Sequence, residues 1–271
     1  YFSNKMFKSS YYLKNVNYPK ALVTIGDDVF NSCWGLNSAV LPEGLISIGE
    51  AAFMGCGAYN LYGAYYPASS FKSVTLPSTL QYIGNSAFRY CQLLKDVTIP
   101  DTITKIGKAT FEYDYALESV TLPANLTSIE EEAFFQCKEL SKVTFRWGAP
   151  KFEGKDIFVE ATATCYYPSN NEAWTSDLFQ DYGGKLTWVG QEMDKPEGVG
   201  GGEGGDPGEN EGEDSGETGG SGDPIDVKVD NETSSGAGDS ASITPPEKGW
   251  TSGTNTFSVS GSQPCLVAIS R

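Results

Sequence analysis

The sequence predicts a solenoid, with short parallel β-strands stacked coil on coil and joined by short helical turns. Three observations predict it. Phenylalanines fall at Phe7, Phe30, Phe53, Phe88, Phe111 and Phe134, at spacings of 23, 23, 35, 23 and 23 residues, and Pro19, Pro42, Pro77, Pro100 and Pro123 keep the same steps. A row of small apolar residues (Val16, Ala39, Val74, Val97, Val120, Val143) alternates at a spacing of two with Tyr18, Leu41, Leu76, Ile99, Leu122 and Phe145, the pattern of a strand with one buried face. Finally, one such unit cannot enclose its own apolar side chains, whereas units stacked ~4.8 Å apart as parallel strands can.

Five complete units begin at Leu13, Leu36, Phe71, Leu94 and Leu117; half a unit, NKMFKSSYY, precedes them, and Leu140 starts a sixth strand. Within a unit the strand comes first. The proline follows directly, where a missing N–H ends the ladder at little cost. A second apolar pair comes next, as in Leu80 and Ile83 or Leu126 and Ile129. Gly26, Gly49, Gly84 and Gly107 then predict a turn, with Glu130 in that place in the fifth unit. The Ala-Phe-x-x-Cys segment predicts one turn of helix. Asp27, Asp28, Glu50, Glu131 and Glu132 stand near its N-terminus, where the helix dipole and free N–H groups favour carboxylates. The single 35-residue unit is a 23-residue repeat with 12 inserted residues, in the segment GAYNLYGAYYPASS over 57–70.

These residues resemble the BspA-type leucine-rich repeat, whose pattern is close to L-x-x-V-x-[IL]-P-x-x-[LV]-x-x-I-G-x-x-A-F-x-x-C. The resemblance covers roughly residues 2–145, and the repeat array as a whole is read as residues 1–145. Departures are local: Tyr18 and Phe145 replace Leu or Ile, Glu130 replaces Gly, and Asp114 replaces Cys. The resemblance implies a leucine-rich-repeat solenoid in a secreted or surface-attached bacterial protein, with adhesion to host matrix or other cells as its role. Residues 146–192 resemble the module that closes such arrays. Read by themselves, they predict a strand over 163–167, a helix starting after Ser169 or Asn170, and a last strand over 185–189. A solenoid end exposes strand edges and apolar core, so a cap is expected there.

The charge marks the remaining boundaries. The chain of 271 residues carries 35 Asp+Glu against 19 Lys+Arg, a formal net charge of −16. Such a balance argues against nucleic acid, which requires cations to displace its counterions, and against anionic membrane surfaces. Residues 193–224 hold 10 of the acids, one base and 12 glycines, a composition that cannot bury enough surface to offset its ordering entropy. They predict a flexible acidic Gly-rich linker. Residues 225–271 recover two alternating runs about a Gly-Ser-Gln-Pro turn, an incomplete β-rich segment without a visible partner. No run of 18 apolar residues exists, so no membrane insertion is expected. The chain opens without an initiator Met or the pattern of a signal peptide and reads as a piece of a longer protein.

Zero histidines remove Ser-His-Asp and Cys-His nucleophile systems, HExxH zinc sites and histidine pH switches. Carboxylate or lysine chemistry stays open on composition, but no motif points to it, and no catalytic residue, metal or cofactor is expected. Cys33, Cys56, Cys91 and Cys137 share one repeat position. Stacked ~5 Å apart, they are too distant at Cβ for the ~3.8 Å of good disulfide geometry, so they read as buried apolar fillers. The GGGEGG string at 200–205 formally matches a dinucleotide fingerprint but follows no strand and opens no helix.

Two features suit binding. Asn17, Val40, Thr75, Thr98, Thr121 and Thr144 form one outward row on the strands, with Asn15, Ser38, Ser73, Asp96, Ser119 and Lys142 beside it; leucine-rich repeats curve this face inward. It offers a shallow polar floor without the aromatic and Arg anchors of tight interfaces. The insertion brings Tyr59, Tyr62, Tyr65 and Tyr66, which give large amphipathic area at low entropic cost. The candidate ligand-binding residues are therefore Tyr59, Tyr62, Tyr65, Tyr66, Thr75, Thr98 and Thr121. The leading expectation is a non-enzymatic extracellular or cell-surface segment that binds a protein or glycan on host or neighbouring cells. The alternative is an accessory solenoid domain of a larger extracellular enzyme whose catalytic domain lies elsewhere. A solvated sheet and a loop packed on the solenoid edge compete with both site readings.

Overall fold

The computed structural model describes residues 1–57 and 71–197, and the backbone of Asn255–Val259 and Cys265–Ser270. Tyr59, Tyr62, Tyr65 and Tyr66, and nearly all of the linker, lie outside these residues.

The 23-residue period builds two rows of parallel strands. Six successive coils each contribute a strand to both rows. The first row runs through Asn15–Val16, Ala39–Val40, Val74–Thr75, Asp96–Thr98, Ser119–Leu122 and Lys142–Phe145, and continues into the cap as Thr162–Pro168 and Lys185–Gln191. Its last five strands form one parallel sheet. Like residues sit side by side, with Val97 opposite Val120 and Val120 opposite Val143. The second row, which sequence reading treated only as an apolar pair, consists of Thr24–Ile25, Ser47–Ile48, Tyr82–Ile83, Lys105–Ile106, Ser128–Glu130 and Lys151–Glu153.

Between the rows lies the core. The repeat phenylalanines form a continuous stack, with successive centroids 5.4, 5.1, 5.4, 5.5 and 5.5 Å apart from Phe7 to Phe134. Phe158 adds one more ring at 5.2 Å from Phe134, so the ladder reaches into the cap. Cys33, Cys56, Cys91 and Cys137 are fully buried and free, as their spacing predicts. Each thiol donates to the carbonyl of a repeat phenylalanine, at 3.1–3.3 Å.

The expected helical turns are not helices; among the described residues the one helical element is the 3-10 turn Ser176–Leu178. The sixteenth and twentieth residues of every coil are left-handed: Asp28 and Ser32, Ala51 and Gly55, Ser86 and Tyr90, Ala109 and Tyr113, Glu132 and Gln136. A left-handed residue every fourth position breaks the helix. Alternate amides instead reach the next coil, as when Ser86, Phe88 and Tyr90 donate to Lys108, Thr110 and Glu112 carbonyls at 2.8–3.0 Å. The amides between them close local turns, Ala87 to Gly84 and Arg89 to Ser86. The Ala-Phe-x-x-Cys spacing resembles helix because it places two apolar side chains four apart, and these consecutive turns do the same.

The repeat glycines also serve another purpose than the turn expected of them. A Cβ on Gly49 would stand 2.6 Å from the Asp27 amide nitrogen, and one on Gly84 would stand 2.5 Å from that of Glu50. Glycine here lets one coil lie against the previous one. The 12-residue insertion leaves the stack undisturbed: Ala39 still faces Val74 and Val40 faces Thr75.

The cap keeps both expected strands, slightly longer than predicted, while the helix expected after Ser169 or Asn170 is reduced to the 3-10 turn Ser176–Leu178. Trp174 is buried, and its Nε1 donates to the Trp147 carbonyl at 3.0 Å. Phe145 meets both Trp174 and Trp188, with centroids at 4.8 and 5.7 Å, closing the end of the core. In the tail, Asn255–Val259 and Cys265–Ser270 pair antiparallel as the alternation predicts. The second of them also pairs with Asn15–Val16, a partner that the sequence did not reveal.

Candidate functional site

The strand period positions the polar row. Alternate strand residues point inward, so Val97 and Val120 are buried while Thr75 and Thr98 are exposed and Thr121 is partly so. Register then aligns the outward residues: Val40 faces Thr75, Thr98 faces Thr121, and Thr121 faces Thr144. A bridge between Ser73 and Asp96 carries the alignment from the third coil to the fourth. The structure thus brings Thr75, Thr98 and Thr121 into one line. Beside it the Ser119 hydroxyl donates to Asp96 at 2.6 Å, and Lys95 pairs with Glu118 at 2.5 Å. Both ion-pair partners are about half exposed, so this pair holds little stability and mainly fixes surface charge.

Sequence reasoning ended this row at Thr144, but the sheet does not end there. Thr144 faces Tyr166 and Tyr166 faces Val189. Tyr166 supplies an aromatic ring on the face that otherwise carries Val and Thr, and the Lys142 ammonium lies over it at 5.7 Å. The signal was present in the sequence, since Thr164, Cys165 and Tyr166 alternate as the repeat strands do; it lay outside the 23-residue period.

A second aromatic group was also missed. Tyr90 and Tyr113 stack in parallel at 4.7 Å on adjacent coils. The Arg89 guanidinium lies 5.0 and 5.8 Å from their ring centroids and contacts the buried Glu112 carboxylate, Nε to Oε2 at 2.6 Å and Nη2 donating to Oε1 at 3.1 Å. Burial raises the Glu112 carboxyl above its usual range, and Arg89 partly offsets that.

The insertion's point of departure is well defined. Gly57 is left-handed at φ +72, a Cβ there would come within 2.9 Å of Phe71 Cβ, and Phe71 is fully buried. Gly57 and Phe71, the described residues on either side of the insertion, are thus in close contact. Among the described residues no cluster of His, Cys, Asp and Glu could hold a metal ion, and no helix is long and apolar enough to cross a membrane.

Two strand rows wound around a phenylalanine ladder, with a polar outward face, define a leucine-rich-repeat solenoid. The chain belongs to the BspA-type leucine-rich repeat family; the family model matches residues 1–62 and 61–182, in six copies. No curated protein matches the chain significantly. Among solved structures it is similar to a leucine-rich repeat protein from Bacteroides ovatus, at 22% identity and TM-score 0.45 over 60% of this chain and 51% of that one. It is also similar to a leucine-rich repeat protein from T. pallidum, at 27% identity and TM-score 0.40 over 51% and 70%. A leucine-rich cell surface protein from Faecalibacterium prausnitzii matches at 16% identity and TM-score 0.32, over 61% and 64%. The aligned part spans about half the length of the B. ovatus chain.

Proposed function

We propose that this chain is a non-catalytic extracellular binding segment of a bacterial surface or secreted protein, presenting its first strand row to a protein or glycan on host or neighbouring cells. The observation that carries this reading is the outward line Thr98–Thr121–Thr144–Tyr166, held in register by main-chain pairing. Its shape is fixed before any ligand arrives, so little ordering entropy opposes binding. Threonines alone give small contacts. Tyr166 at one end, and Tyr59, Tyr62, Tyr65 and Tyr66 of the insertion, supply the larger side chains that dominate interfaces.

The experiment is binding to a glycan array and to immobilised host matrix proteins, by wild type and by two variants. Replacing Tyr62, Tyr65 and Tyr66 with Ala should weaken the ligand found by ~2 kcal/mol or more, while Thr98→Ala with Thr121→Ala should cost less. Thermal stability is the control. Lowered stability with unchanged affinity would make the insertion a structural patch and leave Tyr166 to be tested alone.

A further inference from the structure

A cleft of about 620 Å³ opens in the cap, on the side of the second strand row. One wall is Lys151, Phe152, Gly154 and Lys155; the other is Asp177, Leu178, Gln180, Tyr182 and Gly183. Nothing in the repeat pattern requires it, because both walls come from the non-repeating end of the chain.

Its construction is specific. Phe152 and Tyr182 stack at 4.0 Å and 18°. Phe152 packs behind against Phe145 and Trp188, so Tyr182 is the outer layer of an aromatic stack. The Tyr182 hydroxyl donates to the Leu178 carbonyl at 2.9 Å, and the Gln180 amide donates to that of Asp177 at 2.7 Å. The ring is therefore fixed in advance. The backbone beneath it is left-handed at Tyr182 and Gly183, with φ 43 and 88. A Cβ at Gly183 would stand 2.7 Å from Val159 and 2.8 Å from the Lys155 carbonyl, so this close floor needs glycine.

Charge decides the ligand class. In a chain of net charge −16, two lysines, Lys151 and Lys155, line this cleft against one acidic residue, Asp177. Lys151 and Lys155 take part in no ion pair among the described residues. An aromatic face held rigid suits the apolar face of a pyranose ring, the ammonium groups suit a carboxylate, and Asp177 can accept from sugar hydroxyls. The volume lies within the usual range of small-ligand sites. We propose that the cap cleft binds a carboxylated sugar of the uronic or sialic acid class. This site is separate from the first strand row, and its test does not depend on that reading.

The test is a chemical-shift titration of the isotope-labelled full chain with D-glucuronate, N-acetylneuraminate, glucose and sodium sulfate, each to about 50 mM, far above a millimolar dissociation constant. One or both carboxylated sugars should shift the amides of Gly154, Lys155, Tyr182 and Gly183 with saturation, about tenfold or more tighter than glucose. Lys151→Ala with Lys155→Ala, at exposed positions that leave the fold intact, should weaken that binding about tenfold or more. Asp177→Asn should leave it equal or tighter. No shift at these amides with either carboxylated sugar would overturn the proposal. Sulfate shifting them as strongly would overturn it too, reducing the cleft to a general anion patch. An unchanged affinity in the lysine variant would also overturn it.

Discussion

Asp114 takes the place that cysteine holds in the neighbouring coils, fully buried between Cys91 and Cys137. Those thiols donate to carbonyls of the core, whereas neither Asp114 oxygen has a hydrogen-bond partner. An ionised carboxylate cannot donate; a protonated one can, as the thiols do. Burial raises the Asp114 carboxyl well above its usual range, the Cys91 backbone offsets part of this, and the nearby Glu112 adds a smaller upward push. Because the folded value lies above the unfolded one, the native state holds the proton more tightly. This contribution to stability is full below about pH 4, the ordinary carboxyl value, and is lost as pH rises toward the folded value. Urea unfolding of Asp114→Cys across pH 4–7 should show ~1–3 kcal/mol more stability than wild type at neutral pH and a flatter pH dependence; an unchanged slope would show that this carboxyl does not titrate with folding. The four ladder thiols give a second expectation. Burial pushes Cys33 up to about 12 and Cys56, Cys91 and Cys137 well above the ordinary thiol value. Native protein should react with thiol reagents at these positions only as fast as it unfolds. Rapid native labelling of any of the four would contradict the ladder.

At the scale of the coil, stability resides in the stack of rings. Phe111 is fully buried and lies 5.5 Å from both Phe88 and Phe134. Phe111→Ala should cost ~3–5 kcal/mol in urea unfolding, whereas Thr98→Ala on the exposed row should change stability by no more than ~0.5 kcal/mol. Equal losses would mean that the outward row packs in a way its exposure does not indicate. Coils were legible because a period in sequence becomes a position in space: Phe, Val, Pro and Cys recur at fixed offsets, and the first strand row and core follow. The left-handed turns were not legible. Asp28, Ala51, Ser86, Ala109 and Glu132 share that conformation with no common side chain, because the inter-coil amide bonds impose it. Two-residue strands such as Ser47–Ile48 are too short to show alternation. Tyr166 and the cap cleft escaped for another reason. They are assembled from segments that occur once, with Phe152 and Tyr182 brought together across 30 residues, and no periodicity announces such a meeting.

For the whole molecule, the cap decides whether the array can exist as a separate particle. Phe134 stacks on Phe158, and Phe145 packs on Trp174 and Trp188. A chain ended after Trp147 would uncover these rings together with the open edge of Lys142–Phe145, both routes to association. It should aggregate in size-exclusion chromatography with light scattering. A chain ended at Glu197 should remain a single species, consistent with the proposal that the repeats and cap fold as one domain and the acidic segment beyond serves as a linker. A monodisperse chain ended at Trp147 would show that the cap is dispensable. The undisturbed pairing of Ala39–Val40 with Val74–Thr75 across the insertion has a consequence in heredity. Register in this stack depends on the neighbouring coil and not on distance along the chain. Unequal crossing-over between repeats of equal length can therefore lengthen or shorten the rod by whole coils of ~4.8 Å without unfolding it, and an acquired insertion is inherited as an ornament that leaves the frame intact.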